Sequence, residues 1–141
     1  MKRRVWAGVI AVTAVVAGVV VGGVAWRAPA TADVTEILAV HPDGTVEWVD
    51  AEIRPAEVNN SDVHTLPGAE HRHESKLAGN AVIRTALGCS PPHRLELAGN
   101  GLGAIECGRD EFLAMESLPY APRLVFNRDG EIIELLGRYH P

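Results

Sequence analysis

Positive charge is scarce once the first 32 residues are passed. Residues 33–141 carry nine Lys and Arg against all 18 Asp and Glu, a formal charge of −9. Such a surface does not neutralise a phosphate backbone or an anionic lipid headgroup, so nucleic acid is excluded as a partner and basic or cationic ones are favoured. Aromatics are equally sparse. Trp48, Phe112, Tyr120, Phe126 and Tyr139 are the only ones beyond residue 32. A small core needs most of them for burial, which leaves few for a ligand platform. Several catalytic signatures are missing as well: there is no Cys-x-x-Cys, no His-Glu-x-x-His, no nucleophile elbow and no glycine loop ending in Gly-Lys-Ser/Thr. Leu97-Ala98-Gly99-Asn100-Gly101-Leu102-Gly103 is glycine-rich but fits a hairpin better than a phosphate cradle.

Charge is also missing from residues 5–26, which follow the basic residues 1–4 (Met1-Lys2-Arg3-Arg4). As a helix this run would extend about 33 Å, enough to cross a hydrocarbon core of about 30 Å. Trp6 and Trp26 bracket it as interfacial residues do, and the basic start sits on the side that the positive-inside rule assigns to the cytoplasm. The preferred reading is a retained transmembrane signal-anchor. The alternative is a signal peptide cleaved after Ala30-Thr31-Ala32, in the linker or cleavage region 27–33. Either sends a single domain, residues 34–141, out of the cytoplasm. Ala14, Gly18 and Gly22 form a small-xxx-small stripe, which the general abundance of glycine and alanine in the run explains without a helix partner.

In an oxidising compartment Cys89 and Cys107 are expected to form a structural disulfide. Around them the chain reads as three hairpins. Residues 34–40 and 46–53 flank the turn His41-Pro42-Asp43-Gly44-Thr45, and Leu124-Val125-Phe126 and Ile132-Ile133 flank a second Asp-Gly turn at Asp129-Gly130. Asn100-Gly101 at the centre of a third turn puts Cys107 opposite Arg94. Two helices are predicted between the hairpins. A main one covers residues 74–87, with Leu77, Ala81 and Ile83 or Leu87 on one face and Gly88 as C-cap. A short one covers residues 110–118, capped by Asp110 and stopped by Pro119. The expected fold is therefore α+β, a small antiparallel sheet covered on one face by helix.

One loop gathers metal-ligating chemistry. Asp62, His64, Glu70, His71, His73 and Glu74 lie within 13 residues ahead of the predicted main helix, and His71-x-His73 can place both rings on one side of an extended segment. The preferred account is a polar loop leading into a helix; a metal site or a protonation-sensitive contact are the alternatives. His93 and His140 read as exposed or structural, and Ser61 and Ser75 lack any motif that would make them nucleophiles. Pro119-Tyr120-Ala121-Pro122 reads as an exposed connection that could present Tyr120 to another chain. No residue is assigned a catalytic, cofactor-binding or metal-binding role. The functional expectation is a membrane-tethered, extracytoplasmic accessory or protein-interaction domain, non-enzymatic, acting on a protein partner in the membrane or cell envelope. The alternatives are a small metal-dependent hydrolase or metal-binding protein built on His64, His71 and His73, and a secreted inhibitor or ligand carrier released near Ala32.

Overall fold

The computed structural model describes residues 31–57, 61–89 and 94–140. Residues 1–30, and with them the basic start and the apolar run 5–26, lie outside the described residues. Among the described residues no helix is long and apolar enough to cross a membrane. The expectation of a transmembrane helix, a signal-anchor and a single-pass location rested on the apolar run, its bracketing Trp6 and Trp26 and the basic start. It is corrected to this extent: no helix among the described residues supports it.

The described residues form eight strands and one short helix in chain order: β1 (Thr31–Ala32), β2 (Thr35–Val40), β3 (Thr45–Pro55), β4 (Ser61–Thr65), a 3-10 turn at Ala69–His71, β5 (Arg72–Thr85), β6 (Ile105–Cys107), α1 (Arg109–Leu113), β7 (Tyr120–Phe126) and β8 (Ile132–Arg138). The strands form one sheet in the order β1-β7-β8-β5-β3-β2, with β4 paired to β3 and β6 to β5. All pairings are antiparallel except β5 with β8. The α+β expectation is overturned: the protein is mostly β, one curled half-barrel sheet.

The predicted main helix is instead β5. Along Arg72–Leu77 the exposed Arg72, Glu74 and Lys76 alternate with the less exposed His73, Ser75 and Leu77, a period of two that belongs to a strand. Leu77, Ala81 and Ile83 suggested helix because they straddle a shift in the β5–β8 register between Leu77 and Val82. Gly79 and Asn80, both poor in a helix interior, sit inside that shift. The predicted short helix is cut to five residues. Its N-cap is Gly108 rather than Asp110, and the Gly108 N–H donates to Glu111 Oε1 at 2.8 Å.

The long strands change partners along their length, which lets the sheet curl. β3 pairs with β5 over Thr45–Val49 and with β4 over Ala51–Pro55. β1 and β2 lie at opposite ends of the strand order, yet only Asp33 and Val34 separate them in sequence. One stretch of chain therefore fastens both edges, and the buried Thr35 Oγ1 donates to Pro122 O at 2.6 Å beneath it. The concave side holds the core: Ile37, Val46, Trp48, Leu77, Ile83, Cys107, Leu124, Ile132 and Leu135, plugged by Phe112 from α1, which is wholly buried.

The three expected turns share one geometry. In His41–Thr45, Ala98–Leu102 and Asn127–Glu131 the first residue's N–H donates to the fifth residue's carbonyl, and the fourth residue, a glycine, donates back to the first. Each glycine has φ between 81° and 91°. This is the three-residue hairpin loop, whose last position requires the left-handed region that glycine enters at no steric cost. In the middle turn it corrects the register by one residue, pairing Leu97 with Gly103. Beyond that bridge the chain pairs with β5 instead, and Cys107 faces Ile83 rather than Arg94. The disulfide to Cys89 forms as expected, with the Cα atoms 5.9 Å apart.

Candidate functional site

The histidine-rich region is divided between strands rather than gathered in a loop. Asp62 and His64 lie on β4, where His64 pairs with Glu52 and Asp62 sits 3.9 Å from His140. Glu70 is exposed on the 3-10 turn, and Glu74 faces Glu47 across β3 and β5. His71 and His73 do come together, on a residue the sequence did not single out. Asp50 Oδ2 accepts from His73 Nε2 at 2.8 Å and lies 3.1 Å from His71 Nδ1. The register makes this contact: Trp48 pairs with His73 and Val49 with Arg72, so the next step along β3 brings Asp50 to His71.

Packing secures the group. The His73 ring stacks on Trp48 with centroids 4.2 Å apart, Trp48 stacks in turn on Phe126, and the Trp48 indole N–H donates to Ser75 Oγ at 3.0 Å. Burial alone would raise the Asp50 carboxyl, but hydrogen bonds and charge from His73 and His71 outweigh it and hold the group below its ordinary range. Among the described residues no group of three or more His, Cys, Asp and Glu is placed to hold a metal ion. In particular, His64 does not join His71 and His73, as the metal-dependent reading required. The arrangement ties β3 to the start of β5. Of the other histidines, His140 Nε2 lies 3.0 Å from Ser61 O with its ring against Tyr120, His41 bonds Glu47, and His93 lies outside the described residues.

The larger concavity lies elsewhere, where β5 and β8 end and β7 begins. It is an open-sided cleft of about 620 Å³, within the usual size range of ligand clefts. Its apolar lining includes Leu87, Met115, Leu118 and Tyr139, while Glu116 and His140 supply charge and polarity. Leu87 and Tyr139 on this lining are 38% and 39% exposed. Outside the lining, Leu95 and Leu97 are also exposed, and Glu96 between them donates its N–H to Ala86 O at 3.0 Å. The disulfide holds one wall by tying Cys89 to β6.

Beneath the cleft, Arg138 organises the point where the sheet's edges meet. Its Nη1 donates to Ala121 O and to Asp33 O at 2.9 Å, and Nη2 reaches Asp33 Oδ1 at 3.3 Å. Ala121 is buried with φ at 40°, a region that costs a residue with a side chain on the order of 1–3 kcal/mol. This corrects the expectation for Pro119–Pro122: Tyr120 opens β7 with its ring half-buried, and Ala121 and Pro122 are buried. Burial, helped by the Asp62 carboxylate, pushes the Tyr120 hydroxyl above its ordinary range. Tyr139 is the aromatic that meets solvent. Nothing in the sequence announced the cleft, because its walls come from three separated segments. No protein-family model, curated protein or solved structure matches this chain.

Proposed function

We propose that this domain is a non-enzymatic protein-interaction module working in an oxidising compartment, and that it engages its partner through the cleft at the ends of β5 and β8. The observation that carries the reading is the exposure of Leu87 and Tyr139 on an apolar, open-sided concavity. Large apolar side chains left open beside such a hollow gain free energy when another surface covers them. The disulfide supports the compartment, since such a bond persists outside the reducing cytosol.

Photo-crosslinking in the native host tests this reading. A photoreactive residue replacing Tyr139 is expected to capture one discrete protein, whereas the same residue replacing Arg128, in the turn at the start of β8, is expected to capture none. Equal and diffuse labelling from both positions would count against it.

A further inference from the structure

We infer that the cleft takes an extended polypeptide segment of the partner in which apolar residues are interspersed with lysine or arginine. This rests on the interaction reading above and adds the chemistry of what is bound. The apolar requirement follows from the walls: Leu87, Met115, Leu118 and Tyr139 present no charge. The basic requirement follows from which charges at the cleft are already satisfied. Arg138 is committed to Asp33 and to the Ala121 carbonyl, and only 18% of its side chain is exposed. His140 is held between Ser61 O and Asp62. Glu116 is exposed and has no ion-pair partner among the described residues.

The charge available to an incoming chain is therefore negative, inside a domain whose formal charge over residues 33–141 is −9. An acidic segment meets repulsion at long range and at Glu116, whereas a basic one is steered inward and finds a local counter-charge. The open side of the cleft suits a chain passing through it better than an enclosed small molecule, which sites of this volume bury on most sides.

The test uses the full-length chain and three fluorescent peptides of about twelve residues that share the same Leu, Val and Phe positions. The intervening residues are Lys in the first, Glu in the second and Ser in the third. Anisotropy at about 50 mM salt is expected to give the Lys peptide about tenfold tighter binding than the Glu peptide, narrowing to about threefold at about 500 mM as screening rises. Glu116→Lys is expected to weaken the Lys peptide about fivefold and to strengthen the Glu peptide. Leu87→Ser and Tyr139→Ala, each checked for an unchanged urea midpoint, are expected to weaken all three peptides about tenfold.

Binding of the Glu peptide as tightly as the Lys peptide overturns the basic-segment inference while leaving the interaction reading standing. Full binding by both Leu87→Ser and Tyr139→Ala, or failure of all three peptides to bind, overturns the cleft as a polypeptide site and the proposed function with it.

Discussion

Reduction of the Cys89–Cys107 bond is expected to remove roughly 3 kcal/mol of stability. The figure comes from loop closure: the bond spans 18 positions of sequence, and in the unfolded chain that loop, once opened, regains conformations the cross-link denied it. In the fold the β5–β6 ladder, Ile83–Thr85 against Ile105–Cys107, closes the loop beside the disulfide, and residues 94–104 add bridges of Leu97 with Gly103 and Leu102 with Arg138 and bonds from Glu96 N–H to Ala86 O and from Gly103 N–H to Gly137 O. The double variant Cys89→Ala/Cys107→Ala is expected to lose about 1 kcal/mol more than the reduced protein, because Cys107 sits 6% exposed in the core cluster against Ile83 and its sulfur leaves a void.

Urea unfolding followed by far-ultraviolet ellipticity, with and without a thiol reductant, measures both quantities. At an m-value of about 1.5 kcal/mol/M, a loss of this size moves the midpoint down by about 2 M. Amide exchange should localise the change, with residues 94–104 and the cleft wall at Ala86–Gly88 losing protection before β3 and β8 do. Midpoints that coincide within about 0.3 M would refute the reasoning, since they would mean that opening the bond gives the unfolded chain no net gain in freedom.

Phe112→Ala is expected to cost about 3–5 kcal/mol by calorimetry or urea, because a wholly buried ring plugging the curled sheet has no neighbour able to refill its space. Arg138→Ala is expected to cost about 2 kcal/mol by stranding the buried Ala121 carbonyl, and Arg138→Lys to recover only part of it, since one ammonium does not reproduce the guanidinium fork between Ala121 and Asp33; equal stability of the two variants would contradict this. The Asp50 carboxyl is held below its ordinary range in the fold, so its contribution is complete above the unfolded value of about 3.9 and disappears as pH falls through the lower folded value. The urea midpoint of Asp50→Asn should therefore depend less steeply on pH below about 4 than that of the native chain, and parallel profiles would argue against the coupling.

The parts of the fold legible in the sequence are those set by neighbouring residues. Asp43-Gly44 and Asp129-Gly130 each placed a turn and its flanking strands, because the positive φ at the glycine is a local requirement that the dipeptide meets by itself. β4 was not legible. Ser61-Asp62-Val63-His64-Thr65 has one apolar residue and none of the alternation that marks a half-buried strand. It becomes a strand because β3 runs on to Pro55 after β5 has finished pairing at Val49, which leaves backbone groups at Ala51–Pro55 that need partners. That demand originates on another segment, so no property of residues 61–65 alone reveals it.

The candidate site shows the same divide more sharply. In the sequence His71-x-His73 suggests two rings on one side of an extended segment only for a metal site, and the preferred helix begins at Glu74; the structure instead ends a 3-10 turn at His71 and runs β5 from Arg72, with Asp50 joining both rings. The alternation His71, His73, Ser75, Leu77 continues unbroken through Lys76, so the spacing that paired the imidazoles was already the signature of β5. Extending that strand and setting it antiparallel to the hairpin strand after Gly44 would have brought Leu77 to the turn, where its N–H does donate to Gly44 O, and Asp50 to His71. Within residues 46–53 Asp50 is one of three carboxylates, with Glu47 and Glu52, and nothing local sets it apart. What identifies it is the partner strand: a carboxylate two positions beyond Trp48 on the same face lies within reach of both imidazoles, and it binds them with a single oxygen.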